Sequence, residues 1–325
     1  MLNDDDYTDN SYGIFSSINI DFATDTKTSK GIENGHQIDL YKNVRNSIGV
    51  LAGGDGDGDG NDVSIKLGKG KITLNGGFDN TGIIVGGTDT TSGAKSTDGK
   101  VTGDVVKITG DNRNDRGNRA IYAGNSANNE VTVNAVVSTD ATNSITLVAD
   151  KGAKITVNDS VTGTTPTIIS APTKAGVEIT GSEFHHDTTR VNSDLTSKDN
   201  VGAAYASGGG IININRTSST KPTSIANISI KGGTDQQSKK KVGFGFFADG
   251  SNSKINAQYN WIKVEDGATN VASLNDAEID LKGATVEYKG EGYALYTDST
   301  SKTSGAINML SLIHISEPTR LLSIS

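Results

Sequence analysis

Gly245-Phe246-Phe247-Ala248 is a small residue, two apolar residues and another small residue. The same phrase returns as Gly13-Ile14-Phe15-Ser16, Gly49-Val50-Leu51-Ala52, Gly82-Ile83-Ile84-Val85, Ala120-Ile121-Tyr122-Ala123, Ala203-Ala204-Tyr205-Ala206 and Ala294-Leu295-Tyr296-Thr297. Several neighbouring copies lie 33 to 42 residues apart. The gap from Ala120 to Ala203 is about double, and Ile168-Ile169-Ser170 reads as a degenerate copy inside it. Self-similarity at such a period is the signature of a solenoid or an array.

A loop of Asp, Gly, Ser and Asn usually follows the phrase, and then an alternating strand such as Val131-Thr132-Val133-Asn134. The unit reads strand, turn, strand, with no helical stretch. The apolar pair is expected to fill the interior or a corner, and the flanking Gly or Ala lets the chain bend closely. A single rung cannot bury its own apolar face. Stacked rungs can, each strand hydrogen-bonded to the next at about 4.8 Å. The expected fold class is therefore all-β: an elongated, single-stranded parallel β-helix, or β-solenoid. With roughly 20–25 residues per turn, on the order of 13 turns would span ~60 Å.

Composition agrees with that architecture. The chain has 325 residues, 40 glycines, 4 prolines and no cysteine, and aromatic residues make up 5%. Such a polar composition suits a thin core one side chain deep. Disorder is the competing reading, and β-branched alternation from end to end argues against it. The net charge of −8 speaks against nucleic acid as a partner. The basic run Lys239-Lys240-Lys241 reads as a solvated turn. Without cysteine there are no disulfides and no thiol chemistry. No apolar run reaches the length of a membrane span, so no direct membrane insertion is expected.

The densest local motif is Gly53-Gly54-Asp55-Gly56-Asp57-Gly58-Asp59-Gly60-Asn61-Asp62. Asp55, Asp57 and Asp59 with Gly60 match the opening of a calcium-binding EF-hand loop, in which alternate carboxylates converge on a hard cation. The match then fails, because the twelfth position is Lys66 and Asp62 stands where an apolar anchor belongs. Two readings stay open: an acidic turn, or a weak Ca²⁺ site formed by Asp55, Asp57, Asp59 and Asp62. His185-His186-Asp187 has no partner histidine at ligand spacing and reads as part of a protruding loop over residues 181–199. Trp261 and Tyr259 read as rung residues, with a sugar platform on the outer face as the alternative. Asn75, Asn134, Asn158 and Asn215 are expected near turns, satisfying backbone groups and stacking in ladders. No pair of carboxylates stands out for glycosidase or lyase chemistry, and no Gly-rich phosphate loop opens a helix. No catalytic residue is assigned.

Both ends depart from the pattern. Met1-Leu2-Asn3-Asp4-Asp5-Asp6 has neither a basic region nor an apolar one, so it is not a signal peptide. From Leu310 the glycines stop, and Leu310-Ser311-Leu312-Ile313-His314-Ile315-Ser316-Glu317-Pro318-Thr319-Arg320 resembles an in-frame translation of a sequencing-library transposase adaptor. The expected organisation is one β-solenoid fragment over 1–309 and a non-native, adaptor-derived tail over 310–325.

Asn118-Arg119-Ala120-Ile121-Tyr122-Ala123-Gly124-Asn125 and Gly290-Glu291-Gly292-Tyr293-Ala294-Leu295-Tyr296-Thr297-Asp298 give residues 1–309 a wider resemblance. They resemble the Gly/Asn/Thr-rich passenger regions of large autotransporter adhesins, especially those of fusobacterial type. The resemblance implies a right-handed β-helix exported through a C-terminal β-barrel translocator and displayed at the cell surface, anchored to the outer membrane. It implies a stalk or adhesive role without catalysis, toward a host or bacterial surface protein or glycan. A polysaccharide-degrading β-helix enzyme or a phage tailspike is the alternative.

Overall fold

The computed structural model describes residues 8–9, 12–16, 20–21, 37–41, 44–53, 63–68, 71–77, 79–86, 98–109, 117–139, 142–158, 176–183, 201–216, 226–235, 239–298, 305–309 and 312–316. Among these residues every regular element is a β-strand, and all pairings but one are parallel. The exception is a short antiparallel pair, Gly233–Thr234 with Lys241–Val242, which carries the lysine run.

Apart from that pair and a short parallel pair, Thr8–Asp9 with Val44–Arg45, the strands fall into three ladders that the chain visits in a fixed order. The first is a nine-stranded sheet of Tyr12–Ser16, Ile48–Ala52, Thr81–Val85, Arg119–Ala123, Ile145–Ala149, Gly202–Ser207, Phe244–Asp249, Thr269–Leu274 and Tyr293–Asp298. After each of these strands the chain supplies one to the second ladder and one to the third, as in Lys254–Asn256 followed by Trp261–Glu265. Gly99–Thr109 and Glu130–Thr139 serve both ladders without a break, which joins them into one 16-stranded sheet. Among the described residues the chain thus makes nine passes, where about 13 turns were expected.

Pass length explains the difference. Val271 lies opposite Leu295, 24 residues on, whereas Leu147 lies opposite Ala204, 57 residues on. Insertions between strands lengthen a pass without adding a rung. Register also corrects the reading of the long gap. The strand between Ala120 and Ala203 is Ile145–Ala149, which places Thr146-Leu147-Val148-Ala149 as the intervening copy. Ile168-Ile169-Ser170 lies outside the described residues. Asn270-Val271-Ala272-Ser273 is a further copy, stacked between Phe246 and Leu295.

The apolar pair does not fill the interior together. Val50, Ile83, Ile121, Leu147, Ala204, Phe246 and Val271 point inward and are fully buried in the main core. Their successors leave the core, because successive strand side chains point to opposite faces. Ala52, Val85, Ala123, Ala149, Ala206 and Ala248 point inward again, small enough for the corner that follows. The second and third ladders complete each layer: Phe246 and Ala248 share the core with Ile255, Ala257, Ile262 and Val264. Each fully buried aliphatic side chain contributes about 1.5–3 kcal/mol.

Asparagine and glycine make the corners. After the first ladder the backbone closes i to i+3 turns, with Ala153 N donating to Asp150 O at 3.1 Å and Ala277 N to Leu274 O at 3.1 Å. Lys151, Asn252 and Asn275 there take positive φ; Asn accepts that conformation best among side-chain-bearing residues. Before the first ladder a buried side-chain ladder forms instead. Ser47 N donates to Asn80 Oδ1 at 2.9 Å, and Asn80 N donates to Asn118 Oδ1 at 2.9 Å.

The expected boundary at residue 310 does not interrupt the sheet. Leu312–Ser316 pairs in parallel with Thr285–Lys289. An open sheet edge accepts any extended segment of suitable alternation, and Leu312-Ile313-His314-Ile315 supplies one.

Candidate functional site

The outward surfaces of the three ladders carry the candidate contacts. The first presents an apolar stripe, largely buried, made of the second apolar residue of several of the phrases. Tyr122, Val148, Tyr205, Phe247, Ala272 and Tyr296 stack along it, joined by Ile145 and Phe244 into a cluster separate from the main core. The rings of Tyr205 and Phe247 are 5.6 Å apart, and those of Phe244 and Phe247 5.7 Å. Where Arg119 enters this surface, burial pushes its pKa down, opposed by Tyr122 and Asp79. Burial pushes the Tyr122 hydroxyl up, and nearby Asp150 adds to the effect.

The second ladder presents polar columns. Thr102, Thr132, Thr156, Asn213, Asn256, Asp280 and Asn308 lie one above another. Their amides bond along the column: Asn256 Nδ2 donates to Asn213 Oδ1 at 2.7 Å, and Asn213 Nδ2 to Thr156 Oγ1 at 3.4 Å. Asn215 Nδ2 reaches Asn158 Oδ1 at 3.4 Å in the next column. Asn134 lies within a strand rather than near a turn, donating to Asp104 Oδ1 at 2.8 Å.

Beside them a charged column reads Lys100, Glu130 and Lys154, is interrupted by Ile211, and resumes as Lys254 and Glu278. In-register parallel stacking sets equivalent residues about 4.8 Å apart, so alternating sign replaces repulsion with attraction. Lys254 Nζ lies 2.8 Å from Glu278 Oε2.

The third ladder presents the most concentrated group. Trp261, Lys263 and Glu265 point outward from one strand, and Glu287 and Lys289 from the next. Trp261 Nε1 donates to Glu287 Oε2 at 3.3 Å. Lys263 Nζ sits 2.7 Å from Glu265 Oε1 and 3.9 Å from Glu287 Oε1. The Glu265 hydrogen bond raises the Lys263 pKa, and the same bond holds Glu265 below the usual carboxylate range.

The other candidate residues do not join this group. Tyr259 turns away at a positive φ of 57° and packs its ring against Gly283. Asp55, Asp57, Asp59 and Asp62 lie outside the described residues, as do His185, His186 and Asp187. Among the described residues no three His, Asp or Glu side chains gather as a metal site would require.

The Lys263–Glu265–Glu287 cluster escaped sequence reading, although a signal was present. Trp261-Ile262-Lys263-Val264-Glu265 and Thr285-Val286-Glu287-Tyr288-Lys289 carry opposite charges at matching positions. That match becomes visible only when the two segments are stacked.

Comparison with protein-family models, with curated proteins and with solved structures returned no match.

Proposed function

We propose that the chain is a right-handed β-helix from the passenger region of an autotransporter-like surface protein, serving as a stalk and adhesive surface without catalysis. The observation that carries this reading is the continuity of the outward columns. Threonine, asparagine and aspartate persist from pass to pass in one column, with stretches of alternating charge beside it, as a contact surface repeated along an axis requires. The carboxylates of the third ladder also support it. Glu265 and Glu287 are paired with Lys263, and Glu265 is held low. A general acid needs a raised carboxyl pKa instead. In this reading the full-length protein carries a C-terminal β-barrel translocator and displays this region at the cell surface, where it meets a host or bacterial surface protein or glycan.

The test is to export the chain behind a signal peptide and ahead of a translocator barrel, then measure surface display and attachment to cells and immobilised matrix. The expected result is protease-accessible display with attachment above an empty-barrel control. Release of reducing ends or unsaturated products from a panel of polysaccharides would replace this reading with the enzyme or tailspike one.

A further inference from the structure

Trp261 is the single tryptophan of the chain, and the core does not use it. The inward residues of its strand are Ile262 and Val264. Along the same row other passes place Lys107, Val137 and Glu178, and the next pass places Thr285. Packing the ladder therefore requires no large aromatic there. The indole is nonetheless held in place, because Glu287 of the following pass accepts its N–H.

We propose that Trp261, Lys263 and Glu287 form a binding platform for a neutral pyranose oligosaccharide. The proposal rests on reading the lateral faces as contact surfaces. A pyranose has an apolar C–H face and a rim of hydroxyls. It needs a flat apolar surface flanked by fixed donors and acceptors. The indole supplies the surface. The Glu287 carboxylate has about four lone-pair sites, so acceptor capacity remains beyond the bonds to Trp261 and Lys263. The Lys263 ammonium has three donors, and Glu265 engages it without burying it. Lys231, Lys263 and Lys289 are nearly balanced by Glu265 and Glu287 across this surface. That balance gives little steering to an anion or a cation, and favours an uncharged ligand.

One tryptophan makes the test direct. The full chain is titrated with cellotetraose, chitotetraose and lacto-N-tetraose, with sialyllactose as an anionic comparator, following indole emission and heat of binding. A saturable emission change with at least one neutral oligosaccharide is expected. Trp261→Ala should weaken the heat-detected binding about tenfold, Trp261→Phe by less, and Glu287→Gln should weaken it with an unchanged melting temperature. Undiminished binding in both Trp261→Ala and Glu287→Gln, preference for sialyllactose, or no binding of any neutral sugar overturns the platform. A chain that attaches to cells equally well with Trp261→Ala leaves the adhesive reading standing and removes only this site.

Discussion

Asn227 Nδ2 donates to Asn260 Oδ1 at 2.9 Å, and the two residues, one pass apart, are both buried at the entry to the third ladder. Asn227 Oδ1 in turn accepts from Trp261 N at 2.7 Å, and Asn260 Nδ2 donates to Gln258 O at 2.9 Å. The pair thus fixes how one pass sits on the next and where the Trp261 strand begins. Asn260→Ala removes the buried hydrogen bond between the two side chains, at a cost of about 1–3 kcal/mol. A lowered urea midpoint with faster amide exchange in Trp261–Glu265 is expected; an unmoved midpoint would mean the ladder contributes nothing.

Phe246 and Phe247 are neighbours with opposite roles. Phe246 is 0% exposed in the main core, and Phe247 belongs to the outward stripe. Phe246→Ala should cost about 3–5 kcal/mol, and Phe247→Ala less, since Phe247 packs in the smaller cluster and keeps a little exposure. Equal losses in denaturant titration would contradict the splitting of the phrase.

Gly245 is glycine because of its neighbour in the next pass. A Cβ there would lie 2.5 Å from Asn270 Oδ1 and 2.7 Å from both Asn270 O and Ile262 Cγ2. Ala203 and Ala294 occupy the same row in other passes, so the row itself admits alanine. Gly245→Ala is expected to destabilise by about 1–3 kcal/mol through overpacking. An unchanged or higher melting temperature would show that Asn270 yields.

Tyr288 is buried, and its hydroxyl accepts from Gly292 N at 2.7 Å and donates to Gly267 O at 2.6 Å. Burial pushes its pKa up to about 12, from an ordinary value of 10.0. The folded state therefore favours the protonated phenol. Its stabilising effect is full below pH 10 and is lost as pH rises toward 12. Stability measured from pH 9 to 12 should fall in the native chain. In Tyr288→Phe it should start lower and fall less; identical slopes would remove Tyr288 as the cause.

Asp55, Asp57, Asp59 and Asp62 join the strands Ile48–Ala52 and Val63–Lys66. Read as an acidic turn, they predict no change in melting temperature with CaCl2. A calcium site present at about 100 times its Kd would add about 2.7 kcal/mol. A melting shift absent from Asp57→Asn would establish the site.

The sequence alone determined that the chain is all-β and built from stacked parallel strands. A phrase such as Gly49-Val50-Leu51-Ala52 encodes strand, inward apolar residue and tight corner within four positions, and its recurrence requires neighbours to bury it. Tertiary structure alone decided the number of passes, the register and the division of each apolar pair between core and outer stripe. Thr146-Leu147-Val148-Ala149 shows why. Its flanking threonine makes it look like an ordinary alternating strand, and only pairing with Ile121 and Ala204 reveals it as a copy. Pass length runs from 24 to 57 residues, so spacing does not specify which residues stack. Register is set by the side chains above and below, across chain separations that no local pattern spans. The buried Asn227–Asn260 pair and the Trp261–Glu287 contact exist only once that register is in place.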